Sequence, residues 1–193
     1  LPQETGFQKT VLEAVNYSVL AGGKRLRPLL MKETYQRRME WLLAHPGAVR
    51  GLKGINFALT AVVFCAYPLF LSGLFVEKDP GLLRAVLVPA ISFAAVSVFR
   101  QLVNRPRPYE RFGVPAALSK DTPGKSFPSR HVFSVFVIAS TVFVWNHPAG
   151  IALGFLGVVL AAIRVIGGVH TVADVVAGMI AGILSGIIGY GIL

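Results

Sequence analysis

Five long apolar runs dominate the chain, and its polar residues gather in the stretches between them. The runs cover 52–76, 82–104, 129–145, 149–166 and 170–193. A helix of roughly 20 residues crosses a hydrocarbon layer of ~30 Å. The first, second and fifth runs reach that length, and the two shorter ones suffice with little tilt. Pro and Gly interrupt the pattern at Glu77-Lys78-Asp79-Pro80-Gly81, at Asn146-His147-Pro148 and at Gly167-Gly168, so these read as turns and His147 as a turn residue. Gly178, Gly182, Gly186 and Gly189 recur at near-helical spacing and should let neighbouring helices approach closely. The pattern predicts an all-α fold, a polytopic membrane helical bundle of about five transmembrane helices.

Residues 1–48 follow another rhythm. Val11, Leu12, Val15 and Val19 fall at amphipathic spacing that Gly22-Gly23 breaks. Residues 33–44 place Tyr35, Met39, Leu42 and Leu43 on one helical face with Arg37, Arg38 and Glu40 elsewhere, which predicts an interfacial helix stopped by Pro46-Gly47. The chain thus divides into an N-terminal helical extension, 1–48, and a membrane domain, 49–193. The one long connection, 105–128, carries Arg105, Arg107, Arg111, Lys120 and Lys125; loops of this length are more often functional or disordered than incidental.

Composition supports the membrane reading. Hydrophobic residues make up 54% of the 193, and the mean hydropathy is +0.63, above the range of soluble domains. The single cysteine, Cys65, excludes an intrachain disulfide and a cysteine-rich metal site. The formal charge of +10 is broken up by apolar runs, so anionic lipid headgroups or phosphorylated substrates fit better as partners than nucleic acid.

Against this background Arg164, His170 and Asp174 stand out, because ionisable groups at membrane depth are costly and usually functional. His170 and Asp174 are four apart and would share a helical face. A carboxylate there can accept the imidazole Nδ1–H and leave Nε2 as base, ligand or nucleophile. With five spans, the ends of the second and fourth runs and the starts of the third and fifth fall on one membrane face. That face collects Arg100, Arg107, Ser129, His131, Arg164, His170 and Asp174. Guanidiniums match the oxygens of a phosphoryl group. Ser129, after a proline at a helix start, marks an N-terminal anion site. Two histidines can divide attack and leaving-group protonation between them. No carboxylate cluster is present to hold a metal, so arginines must balance the phosphoryl charge, with no metal and no cofactor expected.

These residues resemble the type 2 phosphatidic acid phosphatase family of membrane lipid phosphatases, which shares its core with vanadium haloperoxidases. Arg100, six residues, then Arg107-Pro108 matches the first motif, with Arg for Lys. Pro128-Ser129-Arg130-His131 matches the second, with Arg for Gly. Ile163-Arg164, His170 and Asp174 match the third in spacing, with Ile for Ser. The resemblance covers residues 50–193. It implies that His170 is the nucleophile and forms a phosphohistidine, that Asp174 orients it, and that His131 is the general acid. Arg100, Arg107, Ser129 and Arg164 would bind the phosphoryl oxygens. The function implied is metal-independent hydrolysis of a lipid phosphate or diphosphate in the cell membrane, on a prenyl diphosphate, phosphatidylglycerophosphate or phosphatidic acid. A lipid-phosphate-binding scaffold without turnover is the alternative. A haloperoxidase is disfavoured by the apolar runs. Arg130 is expected to project outward.

Residues 10–36 resemble the N-terminal part of polyprenyl diphosphate synthases, through Asn16-Tyr17-Ser18-Val19-Leu20 and Gly22-Gly23-Lys24-Arg25-Leu26-Arg27-Pro28. In that family Lys24 and Arg27 would help hold a diphosphate. Prenyl transfer itself is excluded, because Asp79, Asp121 and Asp174 are widely separated and form no aspartate-rich motif. Of the 19 Lys and Arg residues only Lys78 and Arg84 fall on the face away from the motifs; the positive-inside rule then predicts a cytoplasm-facing site.

Overall fold

The computed structural model describes residues 10–13, 26–118 and 123–191, with side chains from residue 29 in the second stretch. Val15, Val19, Gly22-Gly23, Lys24, Lys120 and Asp121, and the side chain of Arg27, lie outside that description, and with them most of the synthase-like segment. Among the described residues from 26 on, the helices are α1 (Leu26–Ala44), α2 (Pro46–Val76), α3 (Leu82–Val103), α4 (Pro108–Phe112), α5 (Arg130–Trp145), α6 (His147–Ile166) and α7 (Val172–Gly191). No strand occurs among the described residues.

Among the described residues four stretches are long and apolar enough to cross a membrane: Pro46–Val76, Leu82–Phe112, His147–Ile166 and Val172–Gly191. Their outer faces expose large apolar side chains, among them Phe57, Leu69, Phe75, Leu102 and Phe155, a pattern suited to lipid rather than water. The third apolar run became α5, shorter than the other four. It is the central helix, packed against α6 and α7 along much of its length. Val132, Phe133, Val135, Phe136 and Val137 are buried on it.

Glycines make that packing close. A Cβ on Gly178 would sit 2.6 Å from the Ser129 carbonyl oxygen, one on Gly182 2.7 Å from Phe136 Cβ, and one on Gly186 2.3 Å from Ser140 Cβ. Gly189 meets Val88 of α3 in the same way. The predicted small-residue face of α7 is therefore real, and its main partner is α5.

Several boundaries shifted for identifiable reasons. Pro46 opens α2 instead of sitting in a turn, since its missing N–H costs nothing in the first helical turn. His147 likewise begins α6, where the Asn146 side chain caps the helix by accepting from Ala149 N at 3.0 Å. The face of α1 predicted to lie on the membrane covers protein instead. Tyr35, Met39 and Leu42 are buried together with Ala117, while Leu43 is exposed. Tyr35 donates its hydroxyl hydrogen to the Gly168 carbonyl at 3.1 Å, so α1 is tied to the turn before α7.

The opposite end of the bundle is fastened separately. Trp145 Nε1 donates to Asp79 at 3.1 Å, and Arg84 Nε donates to the Gly189 carbonyl at 3.1 Å. Lys78 and Arg84 thus sit at the end away from the motif residues, as the alternating topology requires.

Candidate active site

α7 begins at Val172, so His170 stands in the turn before the helix and not on it. The pairing with Asp174 is produced by a reciprocal cap instead of a shared helical face. Thr171 Oγ1 accepts from Asp174 N at 3.2 Å, and Asp174 Oδ2 accepts from Thr171 N at 2.8 Å. This is a capping box, and it sets an anionic side chain at a helix N-terminus, where the macrodipole favours it. The same Oδ2 accepts from Ser126 Oγ at 2.8 Å and lies 3.7 Å from His170 Nδ1. Ser126 Oγ is itself 3.4 Å from His170 Nδ1. Arg105 Nη1 donates to Asp174 Oδ1 at 3.3 Å. Asp174 is fully buried, and His170 nearly so. Burial lowers the His170 pKa to about 4, with Arg164 and Arg107 adding to the fall and Asp174 opposing it. The imidazole is neutral at ordinary pH, with Nδ1 turned to the carboxylate side.

The start of α5 closes the other side. Ser129 N donates to the Asp174 carbonyl at 2.8 Å, which joins the N-termini of α5 and α7. Ser129 is fully buried, and its Oγ has no hydrogen-bond partner among the described residues. Two residues on, His131 Nδ1 lies 2.9 Å from Arg164 Nη2. A guanidinium only donates, so Nδ1 is the acceptor and the neutral His131 ring carries its proton on Nε2. Arg164 is fixed in turn by Asn56, whose Oδ1 accepts from Nη1 at 3.2 Å.

Arg107 is buried, with Nη1 directed at the Val169 carbonyl at 3.4 Å. Its Nε, like Arg164 Nε, is buried without a partner among the described residues. Arg100 is also buried, but its Nη atoms donate to the carbonyls of Lys125, Ser126 and Pro128. It clasps the segment that carries Ser126 and Ser129. Glu110 completes the loop's frame, accepting from Arg107 N and from Gly124 N, each at 2.8 Å.

All seven residues singled out in the sequence therefore meet at one end of the bundle, Arg100 through the loop it holds. The departures from the motifs have structural answers. Arg130 is exposed and lies over the Phe93 ring at 5.5 Å. Ile163 packs with Ala116, Leu118 and Val169. Sequence reasoning missed Ser126, Arg105, Thr171 and Asn56. Asn56 and Thr171 carried a usable signal: a lone amide in an apolar run, and a Thr three residues before an Asp at a helix start. Among the described residues no three His, Cys, Asp or Glu side chains converge as a metal-binding group would.

The fold is a known one. The chain is similar to LpxE from Aquifex aeolicus at 23% identity and a TM-score of 0.62, over 82% of this chain and 93% of that one. It is similar to a PAP2-type phosphatidylglycerolphosphate phosphatase from Bacillus subtilis at 19% identity and a TM-score of 0.65, over 95% and 94% of the two chains. No curated protein matches the sequence. The family model for the PAP2 superfamily matches residues 81–193, more than half of the chain and the whole stretch from α3 to α7. That stretch holds every one of the seven residues, and the chain belongs to the PAP2 superfamily.

Proposed function

We propose that the protein is a metal-independent lipid phosphatase of the cell membrane that works through a phosphohistidine on His170. The family match supports the coarse class, a phosphatase, and the membrane-spanning helices support a lipid substrate. One observation carries the finer reading. Three buried polar atoms without partners among the described residues, Arg107 Nε, Arg164 Nε and Ser129 Oγ, belong to residues that surround the two histidines. A buried donor left unpaired is costly, and phosphoryl oxygens would satisfy all three.

In this reading neutral His170 attacks phosphorus through Nε2 while Asp174 receives the growing positive charge at Nδ1. The guanidiniums of Arg107 and Arg164 and the Ser129 hydroxyl hold the equatorial oxygens, supplying charge that a metal supplies elsewhere. Arg100 keeps the loop in register and adds its positive field. As Arg164 turns to the phosphoryl oxygens, His131 takes a proton at Nδ1; this imidazolium gives its Nε2 proton to the departing oxygen, and the neutral ring then takes a proton from the water that releases phosphate from His170. A groove of about 130 Å³, lined by Thr60, Phe64, Phe93, Ile138 and Leu160, reaches His131 from the apolar side. It suits the chain of a lipid leaving group. Prenyl diphosphates, phosphatidylglycerophosphate and phosphatidic acid all meet these requirements.

Purified protein in detergent, offered these lipids with and without a chelator, should release phosphate from at least one in both conditions. His170→Ala should abolish release and His131→Ala should slow it. An acid-labile, alkali-stable phosphoenzyme should form in the wild type alone. Absence of release from every lipid, with His170→Ala indistinguishable from wild type, overturns the reading in favour of a binding scaffold.

A further inference from the structure

At the end of the bundle away from His170, a groove of about 620 Å³ runs between the first half of α3 and the last turns of α7. None of the seven motif residues lines it, and among the described residues Arg84 is its one ionisable lining side chain. An arginine near a helix end usually extends to the headgroups. Arg84 is instead held down. Its Nε donates to the Gly189 carbonyl at 3.1 Å, one of the last carbonyls of α7. Its guanidinium lies 5.7 Å from the Tyr190 ring, and Trp145 packs edge-on against that ring. The negative end of the α7 dipole explains a cation there. It does not account for Arg84 Nη2, which is buried with no partner among the described residues. The neighbouring carboxylate, Asp79, is already engaged: Oδ1 accepts from Gly81 N at 2.6 Å and Oδ2 from Trp145 Nε1 at 3.1 Å. Glu77 and Lys78 are exposed on the same turn and offset one another. The groove therefore keeps one positive charge for which the described residues lining it supply no counter-ion, and a charge-assisted bond to an anion would satisfy it.

The rest of the groove is apolar. Leu87, Ile91 and Ile188 are exposed along it, and Val88 is buried against Gly189. From Arg84 to Val96 the α3 wall runs about 18 Å at the rise of an α-helix. That is close to half of a ~30 Å hydrocarbon layer. A groove one leaflet deep with a cation at its outer end has the outline of one phospholipid. Inorganic phosphate would leave the apolar length unfilled. A choline headgroup would bring a second cation to a groove that no described Asp or Glu lines.

We propose that this groove holds an acidic phospholipid of the leaflet opposite the catalytic end, bound as a structural lipid and not as a substrate. Its phosphate pairs with Arg84, and one acyl chain lies along Leu87, Ile91 and Ile188. α3 and α7 carry Arg100 and Asp174 toward their other ends, so the lipid bridges two helices on which the site is built. It binds whether or not His170 turns over a substrate.

Native mass spectrometry of the full chain tests this, after release from micelles doped with phosphatidylglycerol or with phosphatidylcholine of the same chains. The wild type should retain phosphatidylglycerol several-fold better than phosphatidylcholine. Arg84→Gln should lower phosphatidylglycerol retention about tenfold, the loss of a charged hydrogen bond. Ala95 is exposed on the groove wall, so Ala95→Trp keeps the fold, leaves Arg84 in place and should lower retention by a similar factor. The same loss on Arg84→Gln should appear in an Arg107→Gln/Arg164→Gln background, where the phosphoryl cradle is disabled. Retention that ignores Arg84 or Ala95, equal retention of the two lipids, or a loss confined to the intact cradle overturns the proposal. Displacement of the lipid by inorganic phosphate, or a dimer in its place, assigns the groove to another occupant and overturns it as well.

Discussion

Replacing Asp174 by Asn removes one negative charge and leaves the outline of the side chain intact. The carboxylate lies 3.7 Å from His170 Nδ1, and both side chains are almost wholly buried. At an effective dielectric of about 20, opposite unit charges at that separation attract by about 4 kcal/mol. In the proposed mechanism that attraction is absent while the imidazole is neutral and grows as His170 takes positive charge in forming the phosphohistidine. It therefore acts on the transition state, and its loss should lower kcat by about three decades with little change in KM. Stability should fall less, by about 1.5–3 kcal/mol, because Asn keeps an oxygen for Ser126 or Thr171 but not a charged acceptor for both. The assay is phosphate release under single-turnover conditions, with a thermal melt of the same preparation. A D174N protein that melts lower yet keeps kcat within about tenfold of wild type would refute the reasoning. Asp174 would then be a helix cap and no more.

Three further outcomes follow from the geometry. The His170 pKa is depressed to about 4 by burial, so between about pH 6.5 and 4 the unfolded chain binds a proton that the folded one refuses, and stability should fall as pH falls through that window; melting temperatures of wild type and His170→Gln should converge toward the acid end. Asn56→Leu removes the acceptor of Arg164 Nη1 and should lower kcat/KM by about tenfold through a looser Arg164, the loss of one charged hydrogen bond; unchanged kinetics would show that His131 alone fixes the guanidinium. Gly178→Ala drives a methyl against the Ser129 carbonyl and should cost about 1–3 kcal/mol, whereas Gly73→Ala, with nothing within 4 Å, should stabilise the helix by up to about 1 kcal/mol; equal melting points for the two would remove the packing argument.

The site was legible where the chemistry opposed its surroundings. Arg164, His170 and Asp174 interrupt apolar runs, and nothing but function or a helix end explains polar groups there. Ser126 was not legible, because a serine in a polar loop is ordinary until the fold brings it 2.8 Å from Asp174. Arg105 was hidden by its neighbour Arg107 in a run of alternating Arg and Pro. Hydropathy marked α5 as apolar but could not say whether its side chains meet lipid or protein, since both solvents for a side chain reward the same residues. The glycines of α7 held that answer in part, because a helix faced with glycine is one that another helix approaches. The packing of α1 was half legible: the face of Tyr35, Met39 and Leu42 was visible, and its partner, the turn at Gly168, was not.

Both helices that open at the site do so with their N-termini, and Ser129 N bonded to the Asp174 carbonyl holds those ends together. Two positive dipole ends and the guanidiniums of Arg100, Arg107 and Arg164 would repel one another if nothing anionic stood among them. Asp174 answers part of that charge and is itself held by donors on three sides: Ser126, Thr171 and Arg105. The charge left over is positive and largely removed from water. Such a field suits a phosphoryl dianion at the point where helix ends already present their unpaired N–H groups, which is what the proposed function asks of it. Arg100 shows the limit of counting charges by motif. Its guanidinium belongs to the same positive field, yet its hydrogen bonds go to the loop carbonyls, so its first duty is to keep Ser126 beneath Asp174 and Ser129 at the head of α5.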